Sequence, residues 1–117
     1  MANLIADHKS GDSWEGYNFL CEELQEDGIS YEPMDLTGVA VLIQFRPTPT
    51  SPVTFEFKTA DGTVLIPNPL NGTIIMAPRR IYAPGREYLY DVQLTFPNGK
   101  NLTIVSDAWN ILSDISK

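Results

Sequence analysis

The side chains that could carry acid–base, nucleophilic or metal chemistry in this chain are fifteen carboxylates, one histidine and one cysteine. Asp91 stands out among the carboxylates. It interrupts an alternating run at residues 87–96 (EYLYDVQLTF), in which Tyr88, Tyr90, Val92, Leu94 and Phe96 share one face, and Asp is poorly suited to strands. Such a carboxylate could act as an acid or base, as a ligand, or as part of the scaffold. His8 lies near Asp7 and Asp12; the trio could touch a metal, but it reads as a solvated terminal stretch. One histidine and one cysteine cannot supply a Cys/His zinc cluster. The glycines are scattered singly in turns, so no phosphate loop is present. Glu22-Glu23 and Glu26-Asp27 lack the residue order of a calcium loop and read as a solvated edge. Cys21 has no intramolecular partner and reads as a small buried apolar side chain. Paired carboxylates of the glycosidase kind need a deep cleft to desolvate an acid, which a small β-domain rarely supplies. The expectation is a protein that is not an enzyme and uses no cofactor or metal.

Charge narrows the partners. Eight basic against fifteen acidic residues give a net charge of −7 and a pI near 4.4. Such a surface repels phosphate backbones and anionic headgroups, so nucleic acid and membrane are not expected partners. No stretch reaches the ~18 apolar residues of a membrane span. The opening MANLIADHKSGD lacks a basic segment followed by a long apolar one, so the expectation is no signal peptide and synthesis in the cytoplasm. At 117 residues and 43% hydrophobic content the chain suits one domain with a core of its own, residues 1–117.

The elements that must position these residues are short strands between Pro, Gly and Asn punctuation. The strongest are residues 39–46 (VAVLIQFR), 53–58 (VTFEFK), 63–66 (TVLI), 73–76 (TIIM), 87–96 and 101–106 (NLTIVS). In 53–58, Val53, Phe55 and Phe57 point one way and Thr54, Glu56 and Lys58 the other. Asp61-Gly62 predicts a hairpin between 53–58 and 63–66, and Pro97-Asn98-Gly99-Lys100 predicts one between 87–96 and 101–106. Residues 46–52 (RPTPTSP) carry three prolines and read as a loop. The one helix candidate, residues 19–27 (FLCEELQED), lacks a continuing apolar stripe and reads as strand and loop. Together these predict an all-β fold, an antiparallel immunoglobulin-like β-sandwich of about seven to nine strands, with residues 1–10 as an edge strand or flexible terminus.

Aromatic residues offer a second kind of function. Trp14, Trp109, Tyr17, Tyr31 and Tyr82 could stack on sugar rings if exposed on one face. Alternatively Trp14 and Trp109 cap the core. The first arrangement would make the chain a carbohydrate-binding or adhesion module.

Motifs recur in an order that resembles a known family. Gly11-Asp12-Ser13-Trp14 comes first, and Asp35-Leu36-Thr37-Gly38 leads into residues 39–46. Ala60-Asp61-Gly62-Thr63 and Asn71-Gly72-Thr73-Ile74 follow, then Gly85-Arg86-Glu87-Tyr88-Leu89-Tyr90-Asp91, and last Asp107-Ala108-Trp109-Asn110-Ile111 with Asp114-Ile115-Ser116. The pattern resembles the small immunoglobulin-like β-sandwich of tailed-phage and prophage structural proteins, and is similar to the N-terminal domain of phage baseplate upper proteins. Phe45, Asp107 and Ser116 depart from it near strand ends. The signature residues are Asp35, Thr37, Gly38, Arg46, Gly62, Gly72, Gly85, Tyr88, Tyr90 and Asp91. The resemblance implies a non-enzymatic structural or adaptor protein of a tail or baseplate, residing in the virion and acting by protein–protein docking. Implied partners are other virion or tail proteins and a homo-oligomer, with a host-surface glycan as a further candidate.

Scaffold roles follow for individual residues. Tyr88, three residues after Gly85, is placed to hydrogen-bond backbone across the preceding corner. Asp35 can accept backbone N–H groups two residues on. Arg46 and Asp91 are expected to pair across neighbouring strands. Residues 2–6 and 109–115 are candidate open edges for self-association or strand-mediated docking.

Overall fold

A computed structural model describes residues 3–113. The tail motif at 114–116 and parts of both candidate edges lie outside the described residues.

The chain is all-β. Its strands are β1 (His8–Lys9), β2 (Ser13–Trp14), β3 (Tyr17–Leu20), β4 (Glu22–Leu24), β5 (Tyr31–Pro33), β6 (Ala40–Arg46), β7 (Phe55–Lys58), β8 (Val64–Leu65), β9 (Thr73–Met76), β10 (Arg79–Arg80), β11 (Arg86–Thr95) and β12 (Asn101–Leu112). The count exceeds the seven to nine expected because β1, β2, β8 and β10 are two-residue pieces, too short to leave a period in the sequence. Five strands form the main sheet in the order β1-β12-β11-β6-β7. A second sheet has the order β3-β9-β8, and β10-β2 and β4-β5 are separate pairs. No helix forms at residues 19–27, where β3 and β4 run instead.

Alternation builds the core. On the main sheet Val41, Ile43 and Phe45 of β6 and Tyr88, Tyr90, Val92 and Leu94 of β11 are buried. Phe19, Val64, Ile74 and Met76 of the second sheet join them in one cluster. Successive side chains on a strand point to opposite faces, so Gln44, Arg46 and Asp91 necessarily face away from that cluster. Residues 97–100 close β11 onto β12: the Phe96 amide donates to Lys100 O at 2.8 Å, and Asn98 Oδ1 accepts the Lys100 amide at 2.9 Å. Val92 then opposes Val105 while Gln93 opposes Thr103, leaving Ile104 as the extra residue of a β-bulge.

Two expectations are corrected here. Asp61-Gly62 does not join a hairpin: β7 pairs with β6, whereas β8 pairs with β9 in the other sheet. A 3-10 turn at Thr59–Asp61 and the left-handed Gly62 reverse the chain. The Thr63 hydroxyl then accepts the Lys58 amide at 2.8 Å and gives its proton to Asp61 Oδ1. The C-terminal strand is also not open over its described end. β1 runs parallel to it at Ile111 and Leu112. Further back, the Leu4 amide donates to Asp107 Oδ2 (2.8 Å) and Trp109 Nε1 donates to Ala6 O (2.9 Å). The N-terminal segment therefore covers β12 from Asp107 onward, and of the two segments expected to be open edges, one lies on the other.

Candidate functional site

The signature residues do not converge on one place. Several build turns. Asp35 Oδ1 accepts the Thr37 hydroxyl (2.6 Å) and the Thr37 amide (3.0 Å), and these two donors hold the Asp35 carboxyl below its usual range. Asp61 is lowered in the same way by the Thr63 hydroxyl and amide. Gly38 lies opposite Pro97, and a Cβ on Gly85 would strike Ser113; both hold chain crossings close.

A third aspartate does the same work at a place the signature omits. Asp27 accepts the Ser30 hydroxyl (2.6 Å), the Ser30 amide (2.8 Å) and the Ile29 amide (2.9 Å), which lower it to about 2. Because the folded value lies below the unfolded one of about 3.9, its stabilisation is present above that value and is lost as pH falls through the folded one. Hydrogen exchange of the Ile29 and Ser30 amides, compared with turn amides not held by a carboxylate, should accelerate between about pH 4 and pH 2 relative to intrinsic rates. Asp27→Asn should abolish that pH dependence.

Tyr88 and Tyr90 are buried neighbours with opposite hydrogen-bond status. Tyr88 donates to Pro84 O at 2.7 Å across the corner before β11. The Tyr90 hydroxyl is buried without a protein hydrogen-bond partner among the described residues. Burial raises both phenols, and Asp107 adds to the effect at Tyr90. Removing a satisfied buried hydroxyl strands its partner, whereas removing an unsatisfied one relieves a desolvation cost. Tyr88→Phe should therefore destabilise by about 1 kcal/mol, and Tyr90→Phe should be neutral or stabilising by up to about 1 kcal/mol. Urea unfolding of the two variants side by side checks this; equal losses would remove the distinction.

Trp14 and Trp109 are not a sugar platform. They are 7% and 0% exposed, with ring centroids 4.8 Å apart, and Trp109 packs on Phe45. Their ring faces are spent on the core. Tyr31 and Tyr82 are exposed, but Tyr31 is in β5 and Tyr82 lies in the loop after β10. His8 also proves structural: its Nε2 lies 3.0 Å from the Asp12 backbone carbonyl, and its ring lies against Trp109. Among the described residues, no three His, Cys, Asp or Glu side chains come together as a metal site would require. Burial raises the Cys21 thiol, which disfavours the reactive thiolate.

One concavity does gather polar groups. On the outward face of the main sheet, Gln44, Arg46, Asp91 and Ser106 border a hollow of about 490 Å³ with Leu89 and Pro49. Arg46 and Asp91 do not form the expected pair. The register sets Asp91 opposite Gln44 and Arg46 opposite Leu89, two positions apart along the strands. The guanidinium instead donates to Gln44 Oε1 (2.8 Å) and Ser51 O (3.1 Å). Asp91 Oδ1 accepts the Ser106 hydroxyl at 2.7 Å. Gln44 continues the chain to Glu56 (3.0 Å), which also pairs with Lys58 (3.0 Å). The Gln44 amide first, and Lys58 second, lower the Glu56 carboxyl. These side-chain hydrogen bonds link β6 to β7 and β11 to β12 across the outward face of the sheet.

The feature the sequence reading missed is the β4–β5 hairpin, read there as a solvated acidic edge. All six of its strand positions are exposed. The available signal was Leu24, Ile29 and Tyr31 interspersed among acids in a segment with no base. No family model matches the chain, and no curated protein matches it.

Proposed function

We propose that this chain is a structural or adaptor module that works by docking to other proteins, in an immunoglobulin-like β-sandwich forming a single domain. One observation carries the docking reading: the β4–β5 hairpin displays large apolar side chains on a formed, hydrogen-bonded element outside the core. The placement of the carboxylates supports it. Asp27, Asp35, Asp61 and Asp91 are engaged in shaping turns and sheet surface.

The motif order from Gly11-Asp12 to the β12 strand supports assigning the module to a phage or prophage tail or baseplate. Mass spectrometry of particles purified on a density gradient from the source bacterium after prophage induction tests that assignment. The chain should copurify with tail proteins at a fixed stoichiometry. Its absence from particles, with the protein present in the lysate, would overturn the virion assignment.

A further inference from the structure

The β4–β5 hairpin is built as an arm. Its root is fixed: the Cys21 amide donates to Gly72 O (2.7 Å), the Met34 amide donates to Cys21 O (2.9 Å), and Cys21 and Met34 are both buried. Its tip is fixed as well, by the Asp27 turn and by the Gln25 amide donating to Ser30 O (2.8 Å). Between root and tip, β4 and β5 pair with each other and, among the described residues, with no further strand. A two-stranded hairpin that covers nothing is marginal in water, yet this one displays Leu24 (53% exposed), Tyr31 (62%) and, at the tip, Ile29 (82%).

The register sorts its side chains. Leu24 lies opposite Tyr31 on one face, and Glu23 lies opposite Glu32 on the other. The first is a cross-strand apolar pair. The second places like charges directly opposite, which destabilises a hairpin. One face thus carries the exposed apolar pair, with Glu22 and Pro33 beside it, and the other carries the two opposed carboxylates.

Charge identifies what fits. Residues 22–33 contain five acids and no base, so the rest of the chain holds ten acids against eight bases. Five of the seven net negative charges therefore sit on twelve residues, and the remaining surface is itself slightly acidic. The body of a second copy is itself net negative, so it attracts the arm less than a cationic surface would, and phosphate backbones or anionic headgroups repel it.

We propose that the β4–β5 hairpin is the docking element, and that its partner is a protein surface with an apolar groove flanked by Lys or Arg. Leu24, Tyr31 and Ile29 enter the groove, with Tyr31 as the aromatic anchor. A partner cation bridges Glu23 and Glu32, relieving their repulsion and steering the encounter. This inference rests on the docking reading above and names its surface.

The test uses the full chain, isotope-labelled, titrated at low salt with a synthetic hexapeptide alternating Lys and Leu, and separately with its Glu and Leu counterpart. The cationic peptide should shift backbone resonances within residues 22–33, and the anionic one should not. Affinity should fall about tenfold in Glu23→Lys/Glu32→Lys and similarly in Leu24→Ser/Tyr31→Ser, and it should weaken with salt. All four positions are exposed, so thermal melts matching the parent should show that the body stays folded in both variants. No binding, shifts confined to other strands, equal binding of the anionic peptide, or unchanged affinity in either double variant would each overturn the proposal. Particles that contain the chain while its arm ignores the peptide would remove this assignment and leave the adaptor reading standing.

Discussion

Trp109→Ala should cost about 3–5 kcal/mol, as truncating a buried aromatic side chain does. Since native domains are stable by about 5–15 kcal/mol, the variant should be marginal or unfolded at 37 °C. Trp109 is fully buried, and its ring lies 4.8 Å from Trp14, 5.4 Å from Phe45 and 6.0 Å from Phe55, centroid to centroid. Alanine would open a void between rings held by the main sheet, β2 and the N-terminal segment. Trp109→Phe separates packing from hydrogen bonding. It keeps an aromatic ring but removes the Nε1 donor to Ala6 O; Ala6 is exposed, so water can take the carbonyl and the lost hydrogen bond should cost about 0.5–1.5 kcal/mol. That variant should also speed hydrogen exchange of the Leu4 amide, held beside it by Asp107, before the β11 amides respond. Urea unfolding and residue-resolved exchange measure both effects. A loss under about 1 kcal/mol for Trp109→Ala is what a surface-exposed ring would give, and would contradict the burial described here.

The sequence made faces legible but not neighbours. The inward set Tyr88, Tyr90, Val92 and Leu94 follows from a period of two, which needs no knowledge of the partner strand. The turn at 97–100 was equally plain, because β11 and β12 are long enough to close on each other. Asp61-Gly62 carries the same local signal with a different outcome. A dipeptide specifies that the chain reverses, and the burial of Phe57 in one sheet and Val64 in the other decides which strands pair. Arg46 and Asp91 failed for a related reason: both were correctly placed on the outward face, but pairing depends on register, and a two-residue offset exchanges Asp91's opposite number for Gln44. The arm was missed because five acids dominate its composition. Its apolar side chains are Leu24 and Tyr31 on one face and Ile29 at the tip, seven residues of chain apart at most, and Leu24 meets Tyr31 only when β4 and β5 pair.

Gly72→Ala should be among the costliest single-methyl changes in the chain, at about 2–4 kcal/mol. Gly72 has φ +68°, in the left-handed region, after the 3-10 turn at Pro69–Asn71. An alanine pays roughly 1 kcal/mol there on backbone conformation alone. Gly72 is also enclosed: a Cβ would collide with the Cys21 carbonyl and lie 3.0 Å from the Met34 amide nitrogen. Those are backbone atoms of the two residues that root the arm, so relief requires moving the Cys21–Gly72 and Cys21–Met34 hydrogen bonds rather than turning a side chain. Gly62→Ala supplies the control, since Gly62 has φ +81° with nothing within 4 Å of the added methyl. It should lose only the conformational part. The difference between the two variants in urea unfolding isolates the contact at the root, and equal losses would show that Gly72 is needed for its φ alone. With the root displaced, the Gln25 amide, bonded across the arm to Ser30 O, should exchange faster in Gly72→Ala and stay unchanged in Gly62→Ala. A global loss without that local change would mean that the arm holds its shape independently of the body.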